Sequence, residues 1–545
     1  MPSLSRLGKY TLAGGAALAL GGLVGGVSPV VGAGSGMLIA VAVAWAATVP
    51  LPRRMRRERL EFTWWLTARG ARDRRPDERI VVRVTLRNAT ASEVVLATPR
   101  LALSPGLRHA RIQRARVVVP PRSMAAFDLE VRAQHAGRHV LHGAWMTLSG
   151  PLGLAWAPLY FPNPLVVQVG TRAMGVGARV RAPTRMDPAA RAGRAVRRAG
   201  EGPEVRELRD HQPGDPFRRI AWKASARKGR MLVRETEDEG QATRVLVIDA
   251  SATMRGHEGR RSKIDYAIEL AAQAAKISLA TGDRLGLVAF DSRVVCVVPP
   301  DHGAGHARAL VASALELRSL VDEDLTDVAD EAVVQTVARY FREQEGIDLL
   351  AHGGGRDAWQ RLSERAARTA RHDPAMRLAV RARDPLLRVL RAFCRARSLN
   401  LPLRHDASGS AKLRGLTEAL REAIAAARER RTLLVVSDLD PIDDAAALRT
   451  AFSAARSARH RVTVVAPAGA DFAIPQVPLS SRASSPMDDV VGAAVRDLFT
   501  RDEAVRLRDL RPVLATVGVS LHTATARDPA AHWLRRAAAP AMRTR

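Results

Sequence analysis

Asp249, Ser251 and Thr253 stand at alternate positions in VLVIDASATMRG, residues 245–256, directly after an apolar run of four residues. One carboxylate and two hydroxyls so spaced converge just past the end of a buried strand. Three hard oxygens gathered there are the chain's most suggestive chemical grouping. Taken alone, a strand-to-helix turn with capping side chains presents the same pattern. A second carboxylate, Asp438, follows the apolar run of RTLLVVSDLD, residues 431–440, and also sits at a strand end.

The elements that must position these residues are legible in the same way. RVLVIDAS reads as a strand, SKIDYAIELAAQAAKISLATG as an amphipathic helix closed by Gly282, and RLGLVAF and RVVCVVP as two further strands. RTLLVVSDLD, HRVTVVAP and GVSLHTA follow, each a strand preceded by a helical stretch. Alternating helix and strand implies a doubly wound, mostly parallel α/β sheet, which places ligands at the carboxyl ends of its strands.

Size and composition bound the rest. A chain of 545 residues, 47% hydrophobic, is too long for a single core and has material for about three domains. Cys296 and Cys394 are its two cysteines, far apart and in no CxxC spacing, which argues against a disulfide framework and a zinc site. The formal charge of +30 would suit a nucleic-acid binder. Its arginines are spread over the whole chain, aromatic residues make up only 4%, and no nucleic-acid motif is present, so that reading ranks second.

No charged residue occurs between Lys9 and Arg53, and the stretch is divided near Ser28 and Pro29. Two membrane helices are expected, near 10–27 and 31–50, since a span takes roughly 20 apolar residues. Gly21/Gly25, Gly22/Gly26 and Gly32/Gly36, small residues four apart, offer close backbone approach. RRMRRER after the second span, with Arg6 and Lys9 before the first, places both flanks in the cytoplasm by the positive-inside rule and lets the basic flank rest on anionic lipid. The uncharged region is too long for a cleaved signal peptide.

From residue 60 to 175 short alternating runs such as RIVVRVTLRN and AAFDLEVRA, separated by turn residues, predict a small antiparallel β-sandwich. A basic linker and a densely charged segment with Phe217 and Trp222 occupy 176–242.

Within that segment, RELRDHQPGDPFRRIAWKASARKGRMLVRE closely resembles the signature of the family called domain of unknown function 58, and GRHVLHGAWMTLSGPLGLAW resembles its upstream β-region. The resemblance runs from about residue 60 to the end, and the membrane hairpin is also typical. It implies a multidomain protein: a two-helix membrane anchor (1–59), the β-sandwich (60–175), the linker and signature (176–242), and a von Willebrand factor A-like domain (243–545) with a helical insertion at about 335–415. The signature residues are Arg206, Glu207, Arg209, Asp210, Gly214, Asp215, Trp222, Lys223, Arg234 and Glu235, of which Arg206, Glu207, Arg209, Asp210, Trp222 and Lys223 are expected to form a packed, paired brace between the sandwich and the sheet domain, with Trp222 buried.

A von Willebrand factor A domain builds a metal-ion-dependent adhesion site from Asp-x-Ser-x-Ser, a distant Thr and a distant Asp. Asp249, Ser251, Thr253 and Asp438 resemble that pattern, with Thr253 in place of the second serine. The distant threonine is either Thr326, in DEDLTDVADEAV, or Thr417, in RGLTEALREAI; Thr326 is favoured. Mg²⁺ (or Mn²⁺) is the implied ion, since such ions prefer oxygen ligands.

Enzymatic readings find little support. No GxxxxGK[ST], HExxH or GxSxG motif occurs, AHGGGRD (351–357) reads as a flexible turn, and a hydrolase is the weakest hypothesis. The sequence therefore points to a non-enzymatic, inner-membrane, two-pass scaffold with cytoplasmic domains. The resemblance adds the expected partners: a MoxR-type AAA+ ATPase and other von Willebrand factor A-like membrane proteins.

Overall fold

The computed structural model describes residues 2–58, 60–67, 74–112, 116–173, 198–200, 204–210, 220–238, 242–255, 262–351, 353, 355–425, 430–457, 460–469, 472, 486–529 and 532–534. Two compact units emerge. The first comprises 1–178, 257–261 and 315–405; the second comprises 179–256, 262–314 and 406–545.

The first unit opens with strand β1 (Ser3–Leu4) and helices α1 (Arg6–Val24), α2 (Ser28–Thr48) and α3 (Leu51–Glu58). The first two are long and apolar enough to cross a membrane. They pack at Gly15, Gly22 and Gly34: a Cβ on Gly22 would fall 2.8 Å from the Val31 amide nitrogen, and one on Gly34 would strike the backbone of Ala19. Of the six glycines expected at this contact, only Gly22 takes that place, and Gly21, Gly26, Gly32 and Gly36 face open space. Both ends of the hairpin meet the sandwich, because β1 pairs with the strand Ala155–Val169 and α3 lies against that same strand.

The sandwich is made of β2 (Leu60–Leu66), β3 (Arg79–Asn88), β4 (Val94–Leu103), β5 (Leu107–Ile112), β6 (Arg116–Val119), β7 (Ser123–Ala133), β8 (Gly137–Ser149) and β9 (Ala155–Val169). It forms two antiparallel sheets, ordered β1-β9-β8-β4-β6 and β2-β3-β7-β5. Alternation decides the faces: Ile80, Val82, Val84 and Leu86 of β3 are fully buried while their neighbours are partly or wholly exposed. A helical subdomain belongs to the same unit, with α7 (Asp330–Glu345), α8 (Arg356–Thr369) and α9 (Pro385–Ala396) around Phe341, Leu362 and Phe393. Tyr160 of β9 donates to Gln344, and Arg138 of β8 pairs with Asp373, so sandwich and helices form one body. The helical insertion is therefore wider at its start than expected, beginning near 315, and it ends near 405.

The second unit carries a small antiparallel sheet, β10 (Arg198–Gly200), β11 (Glu204–Asp210) and β12 (Leu232–Asp238), with the short helix α4 (Trp222–Lys228). Its main body is β13 (Thr243–Asp249), α5 (Lys263–Thr281), β14 (Arg284–Phe290), β15 (Val294–Asp301), α6 (Ala304–Glu316), α10 (Ser410–Ile424), β16 (Arg431–Val436), α11 (Ala445–Ser457), β17 (Arg461–Pro467), α12 (Pro486–Thr516) and β18 (Ser520–Ala524). The sheet order is β15-β14-β13-β16-β17-β18, parallel except for the edge strand β15. Val245, Val247, Leu433 and Val435 pack on α10, α11 and α12, while Leu246, Ile248, Leu434 and Val436 are buried on the opposite face. The chain leaves β13 toward β14 on one side and later returns to β16 on the other, so the strand order reverses between β13 and β16. In such sheets the crevice at that reversal is where ligands bind.

The hairpin packing gives one expectation. Gly34→Leu should lower the melting temperature of the full chain in detergent, because the new side chain meets backbone at the closest approach of α1 and α2. Gly36→Leu, which meets nothing, should leave it unchanged, and equal effects from the two would contradict this packing.

A lysine-filled cluster at the sheet reversal

Parallel pairing brings the carboxyl ends of three strands to one edge. Asp249 ends β13 level with Phe290 of β14, Asp291 follows β14, and Ser437 and Asp438 follow β16. Asp249 and Asp438 are fully buried, and Ser251 and Thr253 nearly so. The Ser251 amide donates to Asp249 Oδ1 at 2.9 Å, the Ser251 and Thr253 hydroxyls lie 3.1 Å apart, and Thr253 donates to Asp438 Oδ1 at 3.1 Å. Four of the five expected residues are thus brought together.

Thr326 is not among them. It belongs to the first unit, where its hydroxyl donates to the Asp322 carbonyl and accepts from the fully buried Arg391 at 2.7 Å. Thr417 lies in the second turn of α10 and donates to the Leu413 carbonyl at 2.8 Å, in the manner of an ordinary helical threonine.

Two lysines absent from the sequence reading complete the cluster. Lys412 Nζ stands 2.7 Å from Asp249 Oδ2, 2.5 Å from Asp438 Oδ1, 2.8 Å from Thr253 Oγ1 and 2.7 Å from the Asp440 carbonyl. Lys263 Nζ lies 2.9 Å from Asp438 Oδ2 and 2.6 Å from Glu503 Oε1. Ser437, also unforeseen, donates to Asp249 Oδ2 at 2.6 Å and accepts from the Leu439 amide. Leu439 holds a left-handed φ of 56° while fully buried, a strained turn that keeps Asp438 and the Asp440 carbonyl on the same ammonium.

The charges bear on one another as the distances require. Burial, the largest influence on Asp438, pushes its carboxyl up, but Lys263 and Lys412 outweigh it and hold the carboxyl below the ordinary range. Burial likewise works against the ammonium of Lys412, and Asp249 and Asp438 more than offset it, so its pKa is raised. Asp291 is different. Burial first, and Asp249 second, push it up to about 6, and its Oδ2 has no hydrogen-bond partner among the described residues.

Mg²⁺ does not fit this arrangement. The oxygens that would ligate it surround an ammonium at 2.5–2.8 Å, whereas Mg²⁺ needs about 2.0–2.1 Å in near-octahedral geometry. Lys412 already occupies the space between Asp249 and Asp438, so a divalent ion would have to share that space with a buried ammonium or displace it. Among the described residues no group of three or more His, Cys, Asp or Glu side chains is gathered for a metal either.

In the signature segment, Arg206, Glu207 and Arg209 lie on β11 and Arg234 and Glu235 on β12, with Glu207 opposite Glu235, Leu208 opposite Arg234 and the register shifting at Arg206. Gly214 and Asp215 fall outside the described residues. Ile220, Ala221, Leu232 and Val233 are buried, but Trp222 is 59% exposed, Lys223 is exposed, and Asp210 pairs with Arg230 in solvent. The expectation of a buried Trp222 is overturned: it opens α4 on the outer side.

Residues 207–373 match the model of the family described as protein of unknown function DUF58. An uncharacterized protein of Mycobacterium bovis is 30% identical over 112 residues, which is 21% of this chain and 35% of that protein. An uncharacterized protein of Mycobacterium tuberculosis matches with the same values. The chain thus spans about a third of the length of these curated relatives. Among solved structures, an aerotolerance-related membrane protein from Bacteroides fragilis, carrying multiple mutations to serines, is 13% identical, covers 46% of this chain and 79% of its own, and has a TM-score of 0.22. An Escherichia coli alpha-2-macroglobulin fragment is 14% identical over 73% of this chain and 55% of its own, with a TM-score of 0.17.

Asp291 supplies a test of these electrostatics. Its folded pKa lies above the ordinary 3.8, so the native state keeps a proton that the unfolded chain releases, and stability falls as pH rises from 3.8 to about 6. Asp291→Asn should raise stability above that window by roughly 2–3 kcal/mol at most and leave it unchanged below it. Denaturant midpoints of parent and variant across pH would check this, and parallel curves would refute it. Asp438→Ala should instead cost about 3–5 kcal/mol at neutral pH, since it removes the carboxylate that two buried ammoniums share and leaves Lys412 with Asp249 alone and Lys263 with Glu503 alone.

Proposed function

We propose that this protein is a membrane-anchored scaffold whose soluble units face the cytoplasm and whose second unit is a von Willebrand factor A-like interaction module. Its partner in this reading is a MoxR-type AAA+ ATPase, acting with other von Willebrand factor A-like membrane proteins in the assembly or maturation of client proteins. The observation that carries the reading is the doubly wound sheet with Asp249, Ser251, Thr253 and Asp438 together at its reversal point. The resemblance of the signature segment supports the choice of partner. The two apolar helices support the anchor, and the arginines after α2 support the cytoplasmic side.

The role is binding and not catalysis. Asp249 and Asp438 are each held by an ammonium and hydroxyl donors, so they are positioned as structural charges and not as an acid–base pair aimed at a substrate. Exposed Trp222 puts an aromatic ring on the surface of the signature segment, a residue type enriched at protein interfaces.

Reporter fusions at residue 70 and at the carboxyl terminus should both report cytoplasm, and a periplasmic signal from either would contradict the topology. The full chain in detergent should capture a MoxR-type ATPase of the same genome in a size-exclusion assay. Trp222→Ala should weaken that capture while changing stability by no more than about 0.5 kcal/mol, as expected for an exposed position. Absence of capture in every nucleotide state would remove the proposed partner.

A further inference from the structure

We propose that Lys412, seconded by Lys263, is the resident cation of the strand-end site, so that this chain closes its cluster with its own ammoniums and takes no divalent ion there. The inference is independent of the partner reading above and rests on geometry, charge and the placement of two helices.

Every oxygen of the two aspartates is engaged. Asp438 Oδ1 receives Lys412, Thr253 and the Asp440 amide, and its Oδ2 receives Lys263. Asp249 Oδ1 receives the Ser251 amide, and its Oδ2 receives Ser437 and Lys412. A metal could enter only by expelling a lysine whose side chain is 3% exposed and which has four oxygens within 2.8 Å.

The helices are built to deliver that lysine. Lys412 lies in the first turn of α10, and Lys263 is the first residue of α5. Helix amino ends carry partial positive charge and disfavour cations, so both lysines sit where the backbone alone would reject them. The two buried aspartates reverse that preference. Two glycines flank Lys412 at equal spacing: Gly409, with φ 67°, lies on the Pro441 carbonyl, and Gly415 lies on the Asp291 carbonyl, where in each case a Cβ would clash with backbone. They let α10 approach the strand ends closely enough for a lysine to reach the carboxylates. Asp406 fixes the same turn by accepting from the Ala411 and Lys412 amides.

The arrangement is thus an internal substitute for a metal. It leaves a cage of two carboxylates, the Thr253 hydroxyl and the Asp440 carbonyl that becomes a cation site once the ammonium is removed.

The experiment is differential scanning calorimetry of the full chain in detergent, with and without millimolar Mg²⁺ or Mn²⁺, on the parent and on Lys412→Ala. The parent should melt at the same temperature in both conditions. Lys412→Ala should melt several degrees lower without metal and regain part of that loss with Mn²⁺, and adding Asp249→Ala should abolish the regain. A parent whose melting temperature rises with Mg²⁺, and falls back with chelator, would overturn the proposal. So would a Lys412→Ala protein as stable as the parent without metal. The parent measurement needs no variant, so a Lys412→Ala chain that fails to fold leaves the proposal open to refutation.

Discussion

Two carboxylates buried at neighbouring ends of a parallel sheet cannot stand alone. Asp249 and Asp438 are fully excluded from solvent, and an unpaired ionised carboxylate in such a place costs far more than a small protein's net stability. Whatever sits opposite them is therefore a requirement of the fold as much as of any function. In this chain the counter-charges are Lys412 and Lys263, and much of the second unit is arranged around them: glycines thin the amino end of α10, Leu439 is forced into a left-handed turn, and Glu503 of α12 anchors Lys263 from the other side. Glu503 also accepts from the Gly469 amide, tying the loop after β17 to the same network.

That closure changes what the site offers. A metal with an open coordination position attracts an acidic group from a partner, whereas an ammonium ringed by four oxygens has no free donor left. The cluster instead holds β13, β16, α5, α10 and α12 in fixed relation. Arg506 pairs with Asp440 and extends the same tie to the middle of α12.

Much of this was legible in the sequence, and the misses have physical reasons. The apolar runs before Asp249 and Asp438 identify parallel strands, and strand ends of such sheets converge, so the four central residues could be grouped without coordinates. Lys412 could not be grouped with them, because a lysine in the amphipathic segment GSAKLRGLTEAL reads as a solvated charge; its one signal is the pair of glycines three residues to either side. Thr326 misled because Thr-Asp before a helix is equally the mark of a buried turn, and a fully buried arginine, rare enough to escape pattern reading, claims its hydroxyl. Glycine spacing told that α1 and α2 approach closely, but which glycines face the partner depends on helix rotation, which Gly15, Gly22 and Gly34 settle. A large aromatic in a densely charged segment reads as buried, yet Trp222 opens a short surface helix.

Lysine-directed reductive methylation of the native full chain, read by mass spectrometry, tests most directly whether Lys412 and Lys263 are buried as paired ammoniums. Lys263 and Lys412 should resist modification with or without Mg²⁺, while exposed Lys223, Lys228 and Lys276 react readily. Modification of Lys412 at the rate of Lys223 would contradict that pairing, because the ammonium would then be in solvent and the aspartates would need another cation.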